Sequence, residues 1–287
     1  MPWRKQLVLQ LICLVIAFTV IFPVLWIFSL ALDPRNLSRP EGLNLIPQGA
    51  SLKSFQDALA QPTGNPISFL ELAFNSFKLA ISTAVFSVLI GVFAAYAFSR
   101  LQFRGRQVLM LAILAVLMLP AVAALAPLFV SLNAIKIGDF NLRTTLLGVG
   151  LAIISGLLPF AIWNLKGYLD TIPKELEEAA AVDGANRNQI FFRIILPLAV
   201  PALAVTAFLG FVAGWTEFYY STIFLDAGSK ETTLAVALNS MVGQFATTTP
   251  WAKFSAFAIM FALPVSVVYL LLQKYIVSGL AVGGVKG

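Results

Sequence analysis

The sequence predicts an all-α membrane protein with six transmembrane helices, and three observations point to this fold class. The chain has 287 residues, of which 59% are hydrophobic and only 11% are charged. A soluble domain carries about 25% charged residues, so this chain has too little charge to cover a globule in water. Its apolar residues form runs of about 20, the length that a helix needs to cross a bilayer. A transmembrane β-barrel would instead show alternating segments of about ten residues.

Six apolar runs are long enough to cross a membrane as helices. They are Leu7–Leu32, Leu79–Phe98, Val108–Leu132, Leu146–Leu165, Leu198–Leu225 and Phe254–Leu272. An even number of spans places both termini on one side. More Lys and Arg residues fall on the side of the termini than on the opposite side, most clearly in the turn Arg100–Arg106. The excess predicts that both termini are cytoplasmic, because cytoplasmic loops are enriched in Lys and Arg.

The first run resembles a signal peptide because Arg4 and Lys5 precede it. A signal-peptide core has about 7 to 15 apolar residues, whereas this run is longer and contains Pro23 and Trp26. We therefore expect a membrane anchor that is retained. Proline and glycine residues within the spans, such as Pro120, predict kinked helices.

The sequence contains no histidine and one cysteine, Cys13, which lies in the first apolar run. Histidine-based catalysis, His-based metal sites and disulfides within the chain are thereby excluded. The Lys and Arg residues are scattered and form no basic stripe for nucleic acid.

The centres of the predicted spans contain no ionisable residue, and Lys78 and Glu217 lie near span ends. Proton and sodium pumps use ionisable groups at mid-depth as coupling elements. The sequence also lacks the glycine-rich phosphate loop of ATPases. If the protein moves a solute uphill, the energy must come from elsewhere.

The longest predicted cytoplasmic segment, Lys166–Leu196, has the pattern of two short helices joined by a bend, here called the elbow. Pro173 suits the first position of a helix. Acidic residues follow in or beside the first turn, where the helix dipole favours them: Glu175, Glu177 and Glu178. Gly184 can take the left-handed conformation that ends a helix. Asn186 or Asn188 can then cap a second helix, Gln189–Leu196.

Two interpretations of the elbow remain open from the residues alone. It can be a surface helix that lies among lipid headgroups. It can also be a docking helix, since its alanines offer a flat face to a protein partner. The acidic residues weigh against an anionic membrane surface, which favours Lys and Arg.

The sequence EAAAVDGANRNQIFFRIILP, Glu178 to Pro197, resembles the EAA motif of permease subunits in binding-protein-dependent ABC importers. Every fixed position of the motif is present: Glu178, Ala179, Ala180, Gly184, Ile194, Leu196 and Pro197. The resemblance implies the type I ABC importer permease fold, with residues 171–187 as a coupling helix that docks on a cytoplasmic ATPase. It also implies the coupling residues Glu178, Ala179, Ala180, Asp183, Gly184 and Ala185.

Other segments resemble carbohydrate importers within the same family. Asn75–Arg106 is similar to the start of their permease core, and Ile46–Leu59 to their first external loop. The C-terminal sequence Ser278–Gly287 resembles the tail of MalG-type subunits of maltose/maltodextrin importers. The implied division is a first helix at 1–32, an external loop at 33–73, a core at 74–278 and a cytoplasmic tail at 279–287.

The glycine-rich tail and one external loop are further candidate sites. In the related subunits the tail reaches the ATPase, which implies roles for Gly283, Gly284, Lys286 and Gly287; the alternative is a frayed terminus. The loop 226–253 would enter the external binding protein through Met241, Gln244, Phe245 and Trp251; the alternative is an interfacial aromatic belt.

Near the outer end of the fifth span, Trp215 and Glu217 are candidates for a gate or wall of the transport pathway. Beyond these two, the resemblance gives no basis for assigning ligand contacts within the spans, because in the maltose system the membrane sugar site belongs mainly to the partner permease subunit.

The resemblance implies a permease subunit and not an enzyme. It would form half of a sugar pathway, for maltose or maltodextrin, in a prokaryotic plasma (inner) membrane, and would work by alternating access. The implied partners are a second permease subunit (MalF-like), an ATPase dimer (MalK-like) that uses ATP and Mg²⁺, and an external binding protein; this chain itself would bind no cofactor. The alternatives are another solute, such as another disaccharide, a polyol or glycerol phosphate, and, remotely, a membrane-embedded enzyme.

Overall fold

The computed structural model describes residues 3–35, 37, 45–226, 228–242 and 248–284, with the side chains of 121 and 277–284 left aside. Thirteen α-helices occur within these residues. They are α1 Trp3–Ala31, α2 Lys53–Ala60, α3 Phe69–Arg100, α4 Arg106–Leu117, α5 Leu125–Asn133, α6 Leu146–Leu169, α7 Glu175–Val182, α8 Arg187–Ile190, α9 Leu196–Leu198, α10 Val200–Trp215, α11 Tyr219–Phe224, α12 Leu234–Ser240 and α13 Trp251–Gly284.

Short non-α elements connect some of these helices. A two-stranded antiparallel hairpin pairs β1, Lys136–Ile137, with β2, Phe140–Asn141. Turns of 3-10 helix occupy Ala121–Ala124 and Leu142–Thr144. A π-helical turn, Phe191–Ile195, joins α8 to α9.

Within the described part of the chain, five segments are long and apolar enough to cross a membrane as helices, which agrees with the predicted all-α membrane fold. They are Trp3–Ala31, Phe69–Arg100, Leu146–Leu169, Val200–Phe224 and Trp251–Ile276. The predicted third span, Val108–Leu132, is instead two helices that meet at 100°. The described residues therefore provide six candidate spans only if this bent pair counts as one.

The break in the third apolar run lies at Pro120, which is extended with ψ of 128°. Proline has no N–H to donate, and it disfavours helical geometry in the residue before it. A kink is therefore expected from the sequence. The size of this kink is not expected from the sequence, because proline also occurs inside the continuous helices α1, α6 and α13.

The chain divides into two compact units. The first comprises Met1–Leu72 and Val236–Pro264. Within it, the Lys253 ammonium donates a 2.5 Å hydrogen bond to the carbonyl of Gln61 at the end of α2. The rings of Phe69 and Phe257 pack edge to face with centroids 5.1 Å apart. These contacts hold α2, the start of α3 and the start of α13 together.

The second unit comprises Ala73–Ala235 and Val265–Gly287. In it, α10 approaches α3 closely because small residues line its contact face. A Cβ atom at Gly210 would lie 2.8 Å from the Cα of Ala84, and one at Gly214 would lie 2.7 Å from the Cα of Ala80. Small residues four apart are a common way to bring two membrane helices into backbone contact.

Candidate functional site

The first helix of the elbow, α7, begins at Glu175 with Lys174 as its N-cap. The predicted start at Pro173 is wrong, because Pro173 precedes the cap. The first intrahelical bonds run from the N–H groups of Glu177 and Glu178 to the carbonyl of Lys174. The three acidic residues do lie in the first turn, where they favourably meet the positive end of the helix dipole.

Gly184 forms the bend after α7, as predicted. Its φ of +85° is left-handed, a conformation that costs glycine little. The N–H of Ala185 bonds to the carbonyl of Ala180 at 2.9 Å, and that of Gly184 to Ala181 at 3.1 Å. This pair of bonds is a Schellman motif, which satisfies the last carbonyl groups of a helix.

Asn186, and not Asn188, caps the second helix. Its side chain accepts the N–H of Gln189 at 2.9 Å, and the Gln189 side chain accepts the N–H of Asn186 at 2.8 Å. This reciprocal pair is a capping box. Together with the Schellman motif, it fixes the backbone on both sides of Ala185.

The predicted helix Gln189–Leu196 is correct in position but not in type. It begins two residues earlier, at Arg187, and changes to a π-helical turn over Phe191–Ile195. The N–H of Leu196 bonds to the carbonyl of Phe191, five residues back. Pro197 follows and has no N–H for the carbonyl four residues earlier, so regular α-helical bonding cannot continue through it.

The second half of the elbow is anchored in an apolar cluster. Ile190, Phe191 and Ile195 are buried against residues of α3 and α6: Val92, Ala95, Leu165 and Leu169. Phe191 stacks on Phe93 at 5.3 Å between ring centroids and meets Tyr96 edge on at 4.8 Å. The elbow is therefore packed onto two membrane helices besides α10, into which it leads.

The first half of the elbow leaves an apolar face uncovered. Val182 is 88% exposed and Leu176 is 45% exposed, although sequence reasoning did not single out either residue. Of the predicted coupling residues, Glu178, Ala179, Asp183 and Gly184 are exposed, whereas Ala180 and Ala185 pack against the apolar cluster. The exposed face of α7 combines carboxylates with apolar groups.

A polar network joins α7 to the end of α3. The guanidinium of Arg100 forms an ion pair with Glu177, and their side chains are only 7% and 16% exposed. The same guanidinium donates to the Ile172 carbonyl and to the Ser99 hydroxyl, each at 2.9 Å. Sequence reasoning used Arg100 only as an indicator of orientation, since two of its partners, Glu177 and Ile172, are more than seventy residues away.

The network continues to the end of α6. The Ser99 hydroxyl donates to Asp170 at 2.6 Å, and the Lys166 ammonium donates to the other oxygen of that carboxylate at 2.5 Å. Burial alone would raise the pKa of Asp170. The hydrogen bonds from Lys166 and Ser99 and the charges of Lys166 and Arg100 outweigh burial and lower this pKa below its ordinary value.

The predicted loop site lies only partly within the described residues. Gln244 and Phe245 are outside them, whereas Met241 is buried and the Trp251 ring meets Phe254 at 5.6 Å. Met241 lines a cleft of about 470 Å³ in the first unit. The full lining is Pro62, Thr63, Gly64, Asn65, Ser240, Met241, Pro250 and Lys253.

Trp215 lies in the interior of the second unit, and Glu217 is half-buried. Trp215 is 1% exposed and packs against Phe77 with ring centroids 4.7 Å apart. One carboxylate oxygen of Glu217 accepts the N–H groups of Tyr220 at 2.5 Å and Ser221 at 3.4 Å. Their visible roles are core packing and capping of α11, and a pathway role stays a prediction.

The C-terminal glycines Gly283 and Gly284 belong to the last turn of α13. The helix thus continues beyond Gly279, where the sequence predicted the start of a glycine-rich tail. Lys286 and Gly287 lie outside the described residues.

Residues 87–282 match the family described as the binding-protein-dependent transport system inner membrane component. The chain belongs to this family. The elbow and both of its caps lie inside the matched range. The predicted family and permease character are confirmed, and the chain is a multi-pass membrane permease subunit.

Several known permeases are similar to the chain over nearly its full length. The galactooligosaccharide transport permease GanQ of Bacillus subtilis is 33% identical and covers 100% of this chain and 99% of its own. The maltose/maltodextrin permease MalG of Photorhabdus laumondii is 35% identical, and the match covers 99% of this chain and 97% of MalG.

Among solved structures, a bacterial ABC transporter that imports alginate is similar in fold. It has a TM-score of 0.77 and 24% identity and covers 95% of this permease and 96% of its own chain. The predicted type I permease fold is confirmed.

Proposed function

We propose that this permease forms half of the translocation pathway of an ATP-driven importer for maltose-like oligosaccharides. The observation that carries the proposal is the full-length similarity to permeases for galactooligosaccharides and for maltose/maltodextrin. Both cargoes are short chains of neutral sugars. Maltose and maltodextrin are favoured by the similarity of the tail Ser278–Gly287 to MalG-type subunits.

The elbow is the proposed docking site for an ATPase subunit. Glu178 and Asp183 offer negative charge, and Ala179 and Gly184 allow close approach. The exposed side chains of Leu176 and Val182 support this role, because a protein cleft would remove them from water. Anchoring of the elbow on α3 and α6 supports a mechanism in which closure of the ATPase dimer moves the membrane helices.

The remaining regions receive roles that follow the predicted division of the chain. The first helix, 1–32, anchors the chain, 33–73 is external, the core 74–278 contains the pathway, and the tail 279–287 reaches the ATPase through its glycines and Lys286. Both termini are cytoplasmic in this proposal. The Lys and Arg excess on that side supports the orientation.

The loop with Met241, Gln244, Phe245 and Trp251 is the proposed contact with an external sugar-binding protein. Aromatic rings cover apolar sugar faces and amides bond sugar hydroxyls. The cleft beside Met241 offers space for contact with such a partner. Trp215 and Glu217 would shape the outer end of the pathway from within the fold.

The proposed assembly contains three kinds of partner. A second, MalF-like permease completes the pathway, a MalK-like ATPase dimer binds ATP and Mg²⁺, and a binding protein delivers the sugar. This chain carries no phosphate loop of its own, so hydrolysis is assigned to the partner.

Reconstitution of the full assembly in proteoliposomes tests the proposal. Maltose, maltotriose, a galactooligosaccharide, trehalose and glycerol phosphate are each supplied with the binding protein, and ATP hydrolysis and uptake are measured. We expect maltose and maltotriose to stimulate both. Stimulation by the galactooligosaccharide alone would move the assignment to that sugar, and stimulation by glycerol phosphate alone would remove the sugar assignment.

A further inference from the structure

The proposed function leaves open how a shift of α7, the first helix of the elbow, reaches α3, which is distant from it in the chain. α7 is covalently continuous with α6 on one side and, through α8, with α10 on the other. No such connection leads to α3. We infer, resting on the proposed function, that Arg100 is a positioning residue that couples elbow movement to α3.

The geometry of the Arg100 guanidinium suits this role. Its three nitrogens each donate to a different group: Glu177 on α7, the Ile172 carbonyl in the α6–α7 linker, and Ser99 on α3 itself. A guanidinium donates in a rigid planar fork, whereas a lysine ammonium is a single flexible point charge. Arg100 therefore fixes the direction of α7 as well as its distance from α3.

The burial of the ion pair points to positioning more than to simple stabilisation. The side chains of Arg100 and Glu177 are 7% and 16% exposed. Removing two charges from water costs about as much as their attraction returns, so a buried pair is a weak source of net stability. It does impose one geometry, because any displacement that separates the charges leaves both buried and uncompensated.

Ser99 extends the connection to a third helix end. It accepts from Arg100 and donates to Asp170, which Lys166 also holds. The ends of α3 and α6 and the first turn of α7 therefore share one hydrogen-bonded network. The apolar contacts of Phe191 with α3 tolerate sliding, whereas these directional bonds do not.

The test uses the reconstituted assembly with Arg100→Gln, Arg100→Lys, Glu177→Gln and the double variant Arg100→Gln/Glu177→Gln. Arg104→Gln is the matched control, since Arg104 is exposed on the adjacent turn. For each purified complex, ATP hydrolysis is measured without and with sugar-loaded binding protein, together with sugar uptake per ATP.

We expect Arg100→Gln to retain basal hydrolysis per assembled complex and to lose about fivefold or more of its stimulation. Arg100→Lys should restore part of the stimulation. The double variant should lose no more stimulation than either single variant, because each single variant already removes the same link. Arg104→Gln should match the wild type.

Two results would overturn the inference while leaving the proposed function intact. One is a stimulation ratio in Arg100→Gln equal to that of the wild type. The other is a double variant whose loss of stimulation equals the sum of the losses in the two single variants. If Arg100→Gln does not assemble, Arg100→Lys decides: a reduced ratio supports the link and an unchanged ratio contradicts it. A wild-type assembly that no sugar stimulates would instead refute the proposed function.

Discussion

Thr83 donates its hydroxyl to the carbonyl of Gly210 at 2.9 Å, which ties α3 directly to the backbone of α10. The same hydroxyl lies 2.8 Å from the Leu79 carbonyl of α3, so its single proton is shared between acceptors on the two helices. The bond to α10 is possible only because Gly210 and Gly214 bring the two backbones together. α3 and α10 therefore form a close pair within the second unit.

The glycines of this helix pair predict a large effect of added side chains. We expect Gly214→Leu to lower the thermal unfolding temperature in detergent by the equivalent of about 1–3 kcal/mol, because its Cβ would meet backbone atoms of α3. Gly156→Ala is the control, since a Cβ there meets nothing within 4 Å. Equal unfolding temperatures for the two variants would show that the close approach is not required.

The capping box of the elbow predicts that its two asparagines differ in importance. Asn186→Ala removes the cap of α8 and should cost about 1 kcal/mol of local stability. Amide hydrogen exchange over residues 187–190 should accelerate accordingly. Asn188→Ala, which leaves the cap intact, should not change the exchange; faster exchange in Asn188→Ala alone would contradict the assignment.

The exposed face of α7 predicts a loss of ATPase binding without a loss of fold. We expect Val182→Asp to weaken association with the partner ATPase about tenfold, equivalent to about 1.4 kcal/mol. The unfolding temperature should stay unchanged, because Val182 is 88% exposed. Ile46→Asp, at a position 84% exposed in the proposed external loop, should leave association intact. Pull-down of the purified ATPase measures both.

The lowered pKa of Asp170 predicts a pH-dependent stabilisation. Burial opposes it, but hydrogen bonds from Lys166 and Ser99 keep the folded-state pKa below the ordinary value of 3.8. The stabilisation is therefore complete above the ordinary pKa and is lost as the pH falls through the folded-state pKa.

Asp170→Asn tests this dependence through unfolding temperatures measured from neutral pH downwards. The variant should unfold at a lower temperature than the wild type at neutral pH, and the gap should narrow below about pH 4. Asp139→Asn, at an exposed position, should show no gap. A constant gap at every pH would mean that the carboxylate charge of Asp170 has no part in the stabilisation.

Local rules were enough to predict much of the elbow. A helix cap is decided by the few residues around it, so the end of α7 at Gly184 could be predicted from the sequence. For the same reason, Asn186 was one of the two predicted caps of the next helix. The start of α7 was predicted too early, at Pro173. The first carbonyl that accepts an intrahelical hydrogen bond belongs to Lys174, which follows Pro173.

Other features depend on tertiary contacts that no local pattern reveals. Glu177 was read as a helix-dipole residue, yet it also meets Arg100, which is 77 positions away in the chain. Pro120 predicted a kink, but a proline in the sequence does not by itself distinguish a slight bend from a break of 100°. The inward orientation of Ala180 and Ala185 likewise depends on the apolar cluster beneath them.

The π-helical turn Phe191–Ile195 also sets the rotational phase between the elbow and α10. A π turn holds one more residue than an α turn, and each residue in a helix adds roughly 100° of rotation. The turn therefore lets Phe191 point into its aromatic neighbours while Gly210 and Gly214 still face α3. Deletion of a single residue here would rotate the face that carries Phe191 against the face that carries Gly210 and Gly214. The length of this segment is therefore as constrained as its composition.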